Sequence, residues 1–312
     1  MVQGVARGTI YEWNLQQKNW ELRSKIVPGI SSYHLTQYMA SWIPAEEIED
    51  KRRTYSPRRF TNEVEGWWFK GARKPLLAKE IQALFDKAMS FTPSKEVDHT
   101  MPVYLGVDWG GGVNAFTVVW IWQLVNDALP RFKLLNVRKF DQPEDRSTEV
   151  QADKVIELMD KFEVDQAVMD AGGGTRQVEK LSNRYGPRMV KCTFITRPED
   201  PFELISSENR VNVDRTWGIE TIIDLITRPE TRADYPNPIP RIFIPASDLE
   251  KVEWIIDHFT CIEAESIQLS SGRNYVRYTH PEEINDDALM SCLYAYMAHL
   301  VKKGSEWRWI RG

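Results

Sequence analysis

Three stretches of this chain bring carboxylates to places where chemistry is done. An apolar run, Val103-Tyr-Leu-Gly-Val, stops at Asp108 and is followed by Trp109 and three glycines. Val164-Asp-Gln-Ala-Val-Met-Asp170 ends the same way and leads into Ala171-Gly-Gly-Gly174. Ile284-Asn-Asp286-Asp287-Ala-Leu-Met290 opens an apolar helical run. Each acid alone reads equally well as a turn or cap residue. Together, two strand ends and one helix start suggest a metal site. Grouped carboxylates are hard oxygen ligands suited to Mg²⁺ or Mn²⁺. Two such ions can activate water and stabilise the leaving oxygen of a phosphodiester. Asp108 is placed to bridge both ions, Asp170 to bind from the side, and Asp287 to complete the set. Neighbours on a helix point about 100° apart, so one can face the metals while the other holds a water or a basic side chain; Asp287 is the favoured ligand and Asp286 the accessory group. The glycines allow tight turns and close approach of a phosphate backbone. Without metal the cluster repels itself, so its carboxylate pKa values should rise and metal should stabilise the fold.

The elements that must hold these acids follow from periodicity. Val103–Val107 and Ala115–Trp122 read as a hairpin, and Arg131–Phe140 as a third strand. Ser147–Lys161 has helical spacing. Val164–Met169 is a fourth strand, Thr175–Tyr185 a helix capped by Thr175, and Arg188–Ile195 another strand. Hairpin, strand, helix, strand, helix, strand predicts α/β with a mixed sheet. A strand near Arg210–Val213, a helix over Arg215–Thr227, a short strand at Arg241–Ile244 and a helix over Ser247–Phe259 follow. A hairpin around Ser270–Arg273 and a closing helix, Ile284–Val301, complete a main domain spanning 101–312. Residues 1–100 read as an irregular extension. Within it a helix starts at Pro44, another covers Leu77–Ala88, and Phe91–His99 is a linker.

The 312 residues suffice for one large domain or two modest ones. A net charge of −5 argues against a wholly basic nucleic-acid module and leaves room for a local basic groove. Cys192, Cys261 and Cys292 are widely spaced, as expected of reduced core thiols. No run approaches ~18 apolar residues and no signal-peptide core is present, so a soluble intracellular protein without membrane contact is expected. No P-loop, GxGxxG or HExxH pattern occurs. Candidate phosphate contacts are Arg138, Lys139, Arg176, Arg273 and Arg277, which would position a strand without reading bases. His280 lies close enough in sequence to the acidic pair to approach it, although a structural or exposed role is the simpler expectation.

Val103–Gly110, Ala167–Gly173 and Asn285–Ala295 resemble the three acidic motifs of the nuclease domain of tailed-phage terminase large subunits. Asp286-Asp287-Ala288-Leu289 matches the third motif in particular. Tyr33–Gln37, Trp42–Pro44, Glu47-Ile48 and Phe60–Val64 resemble the stretch that joins the packaging ATPase to that nuclease. The resemblance implies a ribonuclease H-like mixed sheet flanked by helices, and catalytic carboxylates at Asp108, Asp170 and Asp287. It also implies an endonuclease that cuts concatemeric double-stranded DNA with Mg²⁺ or Mn²⁺. Portal protein and small terminase would be partners in the full motor, in the host cytoplasm and transiently at the procapsid. No Walker motif precedes the region, so the ATPase is expected to be missing from this chain. Other ribonuclease H-like nucleases of resolvase or transposase type, or a non-catalytic docking module for DNA or portal, are the alternatives.

Overall fold

The computed structural model describes residues 9–14, 19–25, 31–34, 36–55, 60–61, 63–66, 74–110, 116–126, 130–196, 200–229, 239–268, 274–281 and 284–311. The chain divides into two compact units, 1–71 and 72–312.

In the first unit, β1 (Thr9–Asn14) pairs antiparallel with β2 (Asn19–Lys25) and parallel with β3 (Ser31–His34). Pro44 precedes α1 (Ala45–Thr54), with Glu46 and Glu47 in its first turn, where acids suit the positive end of the helix dipole. Ile48, Phe60 and Val64 form a small core, with Ile43 and Tyr55 against it. On α1, Lys51 bonds to Gln37 and Glu47, and Arg52 to the Tyr38 hydroxyl. Arg58, Arg59 and Trp67–Phe69 lie outside the described residues.

Among the described residues, the second unit is built on a nine-stranded mixed sheet. Its strands are β4 (Phe85–Asp86), β5 (Val103–Asp108), β6 (Thr117–Asn126), β7 (Arg131–Phe140), β8 (Gln166–Asp170), β9 (Met189–Ile195), β10 (Phe202–Ile205), β11 (Arg210–Asp214) and β12 (Ile242–Pro245). The spatial order is β10-β11-β9-β8-β5-β6-β7-β12-β4. β5, β6 and β7 form the antiparallel meander expected from the sequence. β8 and β9 then add in parallel beside β5, and β12 adds in parallel beside β7. This is the mixed α/β sheet expected from the sequence.

Helices cover both faces. On one, α3 (Thr148–Lys161) and α4 (Thr175–Tyr185) bury Val103, Leu105, Val107, Val119, Ile121, Ala167 and Met169. On the other, α7 (Asp287–Arg311) crosses β5, β8 and β6. Here Trp120, Trp122 and Phe132 are fully buried, with Phe132 set edge-on against Tyr296 of α7. α5 (Arg215–Thr227) and α6 (Trp254–Thr260) pack beside α7, and the hairpin of β13 (Glu263–Gln268) and β14 (Asn274–Thr279) packs on α5. Cys192, Cys261 and Cys292 are free, buried core thiols. Among the described residues, no helix is long and apolar enough to cross a membrane.

Several expectations change. The helix read over Leu77–Ala88 is only α2 (Ala78–Gln82), because Phe85–Asp86 is drawn out as an edge strand beside β12. That pairing attaches part of the stretch assigned to the extension to the main sheet, and the second compact unit begins at residue 72. Ser247–Phe259 breaks into a 3₁₀ turn, Leu249–Lys251, and α6. Thr175 is the first residue of α4, with Gly174 at the cap position and no side-chain capping bond. Phe202–Ile205, which the sequence does not single out as a strand, pairs with β11 as an edge strand.

Candidate metal centre

The register of β5 and β8 brings two of the acids together. Val107 pairs with Met169 in a parallel ladder, so Asp108 and Asp170, one residue further on, end adjacent strands. Residues level with one another in a ladder share a face, because side chains alternate along each strand. Across β6 the row continues, since Asp108 opposes Val118 and Val118 opposes Lys139. Asp170, Asp108, Val118 and Lys139 therefore lie in one line across one face.

That face is the one covered by α7. Gly106, two residues before Asp108, lies against the backbone of α7, and a side chain there would run into Ser291 and Ala295. Ser291 is one turn beyond Asp287. The helix runs antiparallel to the strand, and this contact brings its first residue level with Asp108.

The carboxylates also act on one another electrostatically. Burial raises the Asp108 carboxyl well above the usual carboxylate range, and the charges of Asp287, Asp286 and Asp170 raise it further, in that order. Arg215 opposes the rise. Burial also pushes Asp287 up to about 6 with help from Asp286, against the pull of the Phe116 N–H, His280 and Lys139.

Each acid is held by the protein's own donors. Asp170 accepts the Gly172 N–H at 3.1 Å and the Gly173 N–H at 2.6 Å, folding the glycine turn around its carboxylate. Gly174 leaves room for the Trp109 ring, 2.4 Å from where a Cβ would stand. Asp287 accepts the Phe116 N–H at 3.3 Å. Asp286 accepts from Arg215 at 3.2 Å and faces His280 Nε2 at 3.5 Å. Among the described residues, no three carboxylate, imidazole or thiol groups are already gathered as ligands around one point. The donor set nevertheless fits a hard cation. It consists of carboxylates whose burial and then mutual repulsion raise Asp108, and a divalent ion relieves that repulsion.

The candidate phosphate contacts separate. Lys139 shares the face of the acids, with its Nζ 4.4 Å from the Phe116 ring centre and 3.5 Å from Asp141. Arg138 alternates to the opposite face, where its guanidinium lies 5.4 Å from the Phe140 ring centre. Arg176 is exposed in the first turn of α4. Arg277 is exposed and paired with Glu265 across the hairpin at 3.1 Å. Arg273 lies outside the described residues. Arg215, Arg277, Tyr278, Thr279 and His280 line a shallow concavity.

Three contributors escaped the sequence reading. In the sequence Arg215 marks only the start of a helix. His258 accepts the Ala288 N–H at 3.4 Å, and burial, with Lys139 nearby, lowers its pKa to about 4, so it stays a neutral acceptor. Thr117 accepts the Gly110 N–H at 3.0 Å and donates to Gln151 at 3.1 Å, tying the loop after Asp108 to α3. Arg215 and His258 carry no local signal, because each reaches its partner from a distant element, and Thr117 shows its link to Gln151 only once β6 and α3 are packed.

No family model and no curated protein matches this sequence. Among solved structures, the chain is similar to the large terminase nuclease from thermophilic phage G20c, at 15% identity and a TM-score of 0.40, over 64% of this chain and 83% of that one. It is similar to the nuclease domain of the large terminase subunit of bacterial virus Sf6, a mutant solved with manganese and β-thujaplicinol. There identity is 11% and the TM-score 0.44, over 70% of this chain and 98% of that one. It is also similar to a large terminase of a thermophilic bacteriophage in complex with ATP-γ-S, at 12% identity and a TM-score of 0.48, over 87% of this chain and 56% of that longer one.

Proposed function

We propose that this chain is a divalent-metal-dependent endonuclease of the terminase large-subunit type, which cuts double-stranded viral DNA by phosphodiester hydrolysis. The observation that carries the reading is the shared sheet end and face of Asp108 and Asp170, with Asp287 brought level by the helix that packs on Gly106. The three acidic motifs in the sequence support it independently.

Asp108, Asp170 and Asp287 would hold Mg²⁺ or Mn²⁺, two ions in this reading. Such ions, when bound, neutralise phosphate charge and make water a better nucleophile. The protein's own part is positional. The Gly172 and Gly173 amides fix the Asp170 carboxylate, and the Phe116 amide fixes Asp287. Lys139 flanks the row of acids, and Arg277, with His280, borders the concavity beside them. These cations would hold the DNA backbone by charge, without selecting sequence. In the motor, an ATPase, the small terminase and the portal would be partners, in the host cytoplasm and transiently at the procapsid.

The test is relaxation of supercoiled plasmid with Mn²⁺ or Mg²⁺. Cleavage should be lost on chelation and in Asp108→Asn and Asp170→Asn proteins that still melt cooperatively. Cleavage that survives chelation, or both substitutions, would overturn the reading. Preference for an RNA–DNA hybrid over duplex DNA would point to a different ribonuclease H-like activity.

A further inference from the structure

Arg215 joins three parts of the fold at the acidic centre. From the first position of α5, its Nη1 donates to the Tyr278 carbonyl at 2.7 Å and its Nη2 to Asp286 Oδ2 at 3.2 Å. The strand it grips is fixed to the same helix by two more bonds. Thr216 donates to the Val276 carbonyl at 3.0 Å, and the Tyr278 hydroxyl meets Glu220 at 3.3 Å. Its charge also reaches Asp108, where it opposes the other carboxylates. A guanidinium does not lose its proton in a protein, so this charge is permanent.

The two neighbouring acids are treated differently. Asp286 is buried, with Arg215 against one oxygen and His280 facing the other. Asp287 is oriented by a backbone amide, which carries no full charge and is no competitor to a cation. We propose that Arg215 is a built-in counter-ion of the acidic centre, which engages Asp286 as a positioning group and leaves Asp108, Asp170 and Asp287 to take divalent ions. The inference rests on the metal-dependent reading above. It makes Arg215 a positioning residue whose charge stabilises the metal-free protein and competes with metal.

The two roles predict effects of opposite sign. Calorimetric titration with Mn²⁺ alone, without DNA, reads the affinity, and thermal melting in chelator reads the metal-free fold. In Arg215→Gln, the melting temperature in chelator falls while Mn²⁺ binds more tightly, by about tenfold, the scale of removing one like charge near a divalent ion in a partly solvated site. Arg215→Lys keeps the charge and loses the fork, so its Mn²⁺ affinity stays within about twofold of wild type. A merely structural arginine would weaken Mn²⁺ binding when replaced. Weaker or unchanged binding in Arg215→Gln overturns the proposal. If the glutamine protein does not melt cooperatively, the lysine protein decides: unchanged affinity supports the counter-ion and weakened affinity overturns it. Wild-type protein that binds no Mn²⁺ would instead overturn the metal-dependent reading itself.

Discussion

Gly106 on β5 and Ser291 on α7 touch backbone to backbone: a Cβ on the glycine would stand 2.0 Å from the serine carbonyl oxygen. The Ala295 amide nitrogen would be only 2.3 Å away. Neither neighbour is a flexible side-chain end, so neither can yield alone. The first prediction is that Gly106→Ala lifts α7 from the sheet. Overpacking of this kind costs about 1–3 kcal/mol, readable as a lower urea midpoint. Because the same helix carries Asp287, Mn²⁺ affinity should fall with it. A protein of unchanged stability would show that strand and helix are not held this closely.

A second prediction concerns pH. The Asp287 carboxyl is raised from 3.8 to about 6 in the folded chain. Between these values the folded state holds a proton that the unfolded state has released, so stability falls as pH rises through this window and levels off above it. The loss is on the order of 3 kcal/mol. Asp287→Asn removes this dependence. In chelator, urea unfolding should show the substitution gaining stability relative to wild type from about pH 4 to about pH 6. A difference that does not change with pH would refute the raised pKa.

How much of this was readable beforehand varies by residue. Asp108 and Asp170 stand out in the sequence as acids that end apolar runs beside glycines, although each alone reads equally well as a turn residue. Asp287 was legible as the start of a helix. The ladder that sets Asp108 level with Asp170 was not, because register depends on which strands become neighbours. Arg138 and Lys139 looked like a pair, yet strand alternation sends them to opposite faces. Arg277 looked free for a phosphate, but its cross-strand partner Glu265 was visible only once the hairpin was aligned. Phe85–Asp86 lost helical structure to the exposed edge of β12, a tertiary effect that local propensity does not contain.

A third prediction tests the polar chain beneath the loop after Asp108. Gly110 donates to Thr117, Thr117 to Gln151, and Gln177 also donates to Gln151 at 3.2 Å. Thr117→Val fills the same space but leaves the Gly110 N–H without its acceptor. The cost should be about 1–3 kcal/mol, with faster amide exchange at Gly110. Unaltered exchange would mean the chain does not hold the loop.

The fourth prediction separates stability from DNA contact. Arg277 and Glu265 form an exposed pair, and such pairs contribute about 0–1 kcal/mol. Arg277→Ala should hardly move the melting temperature, yet weaken duplex binding and reduce its salt dependence by about one phosphate contact. An unchanged salt slope would remove Arg277 from the DNA interface.

Among the described residues, the main sheet stops at β4, of two residues, on one side and at β10, of four, on the other. Long bare margins offer unpaired amides and carbonyls to neighbouring molecules, and short ones offer little to template on. Its broad pleated interior is thus guarded against edge-to-edge self-association, even where many copies of the protein are crowded together.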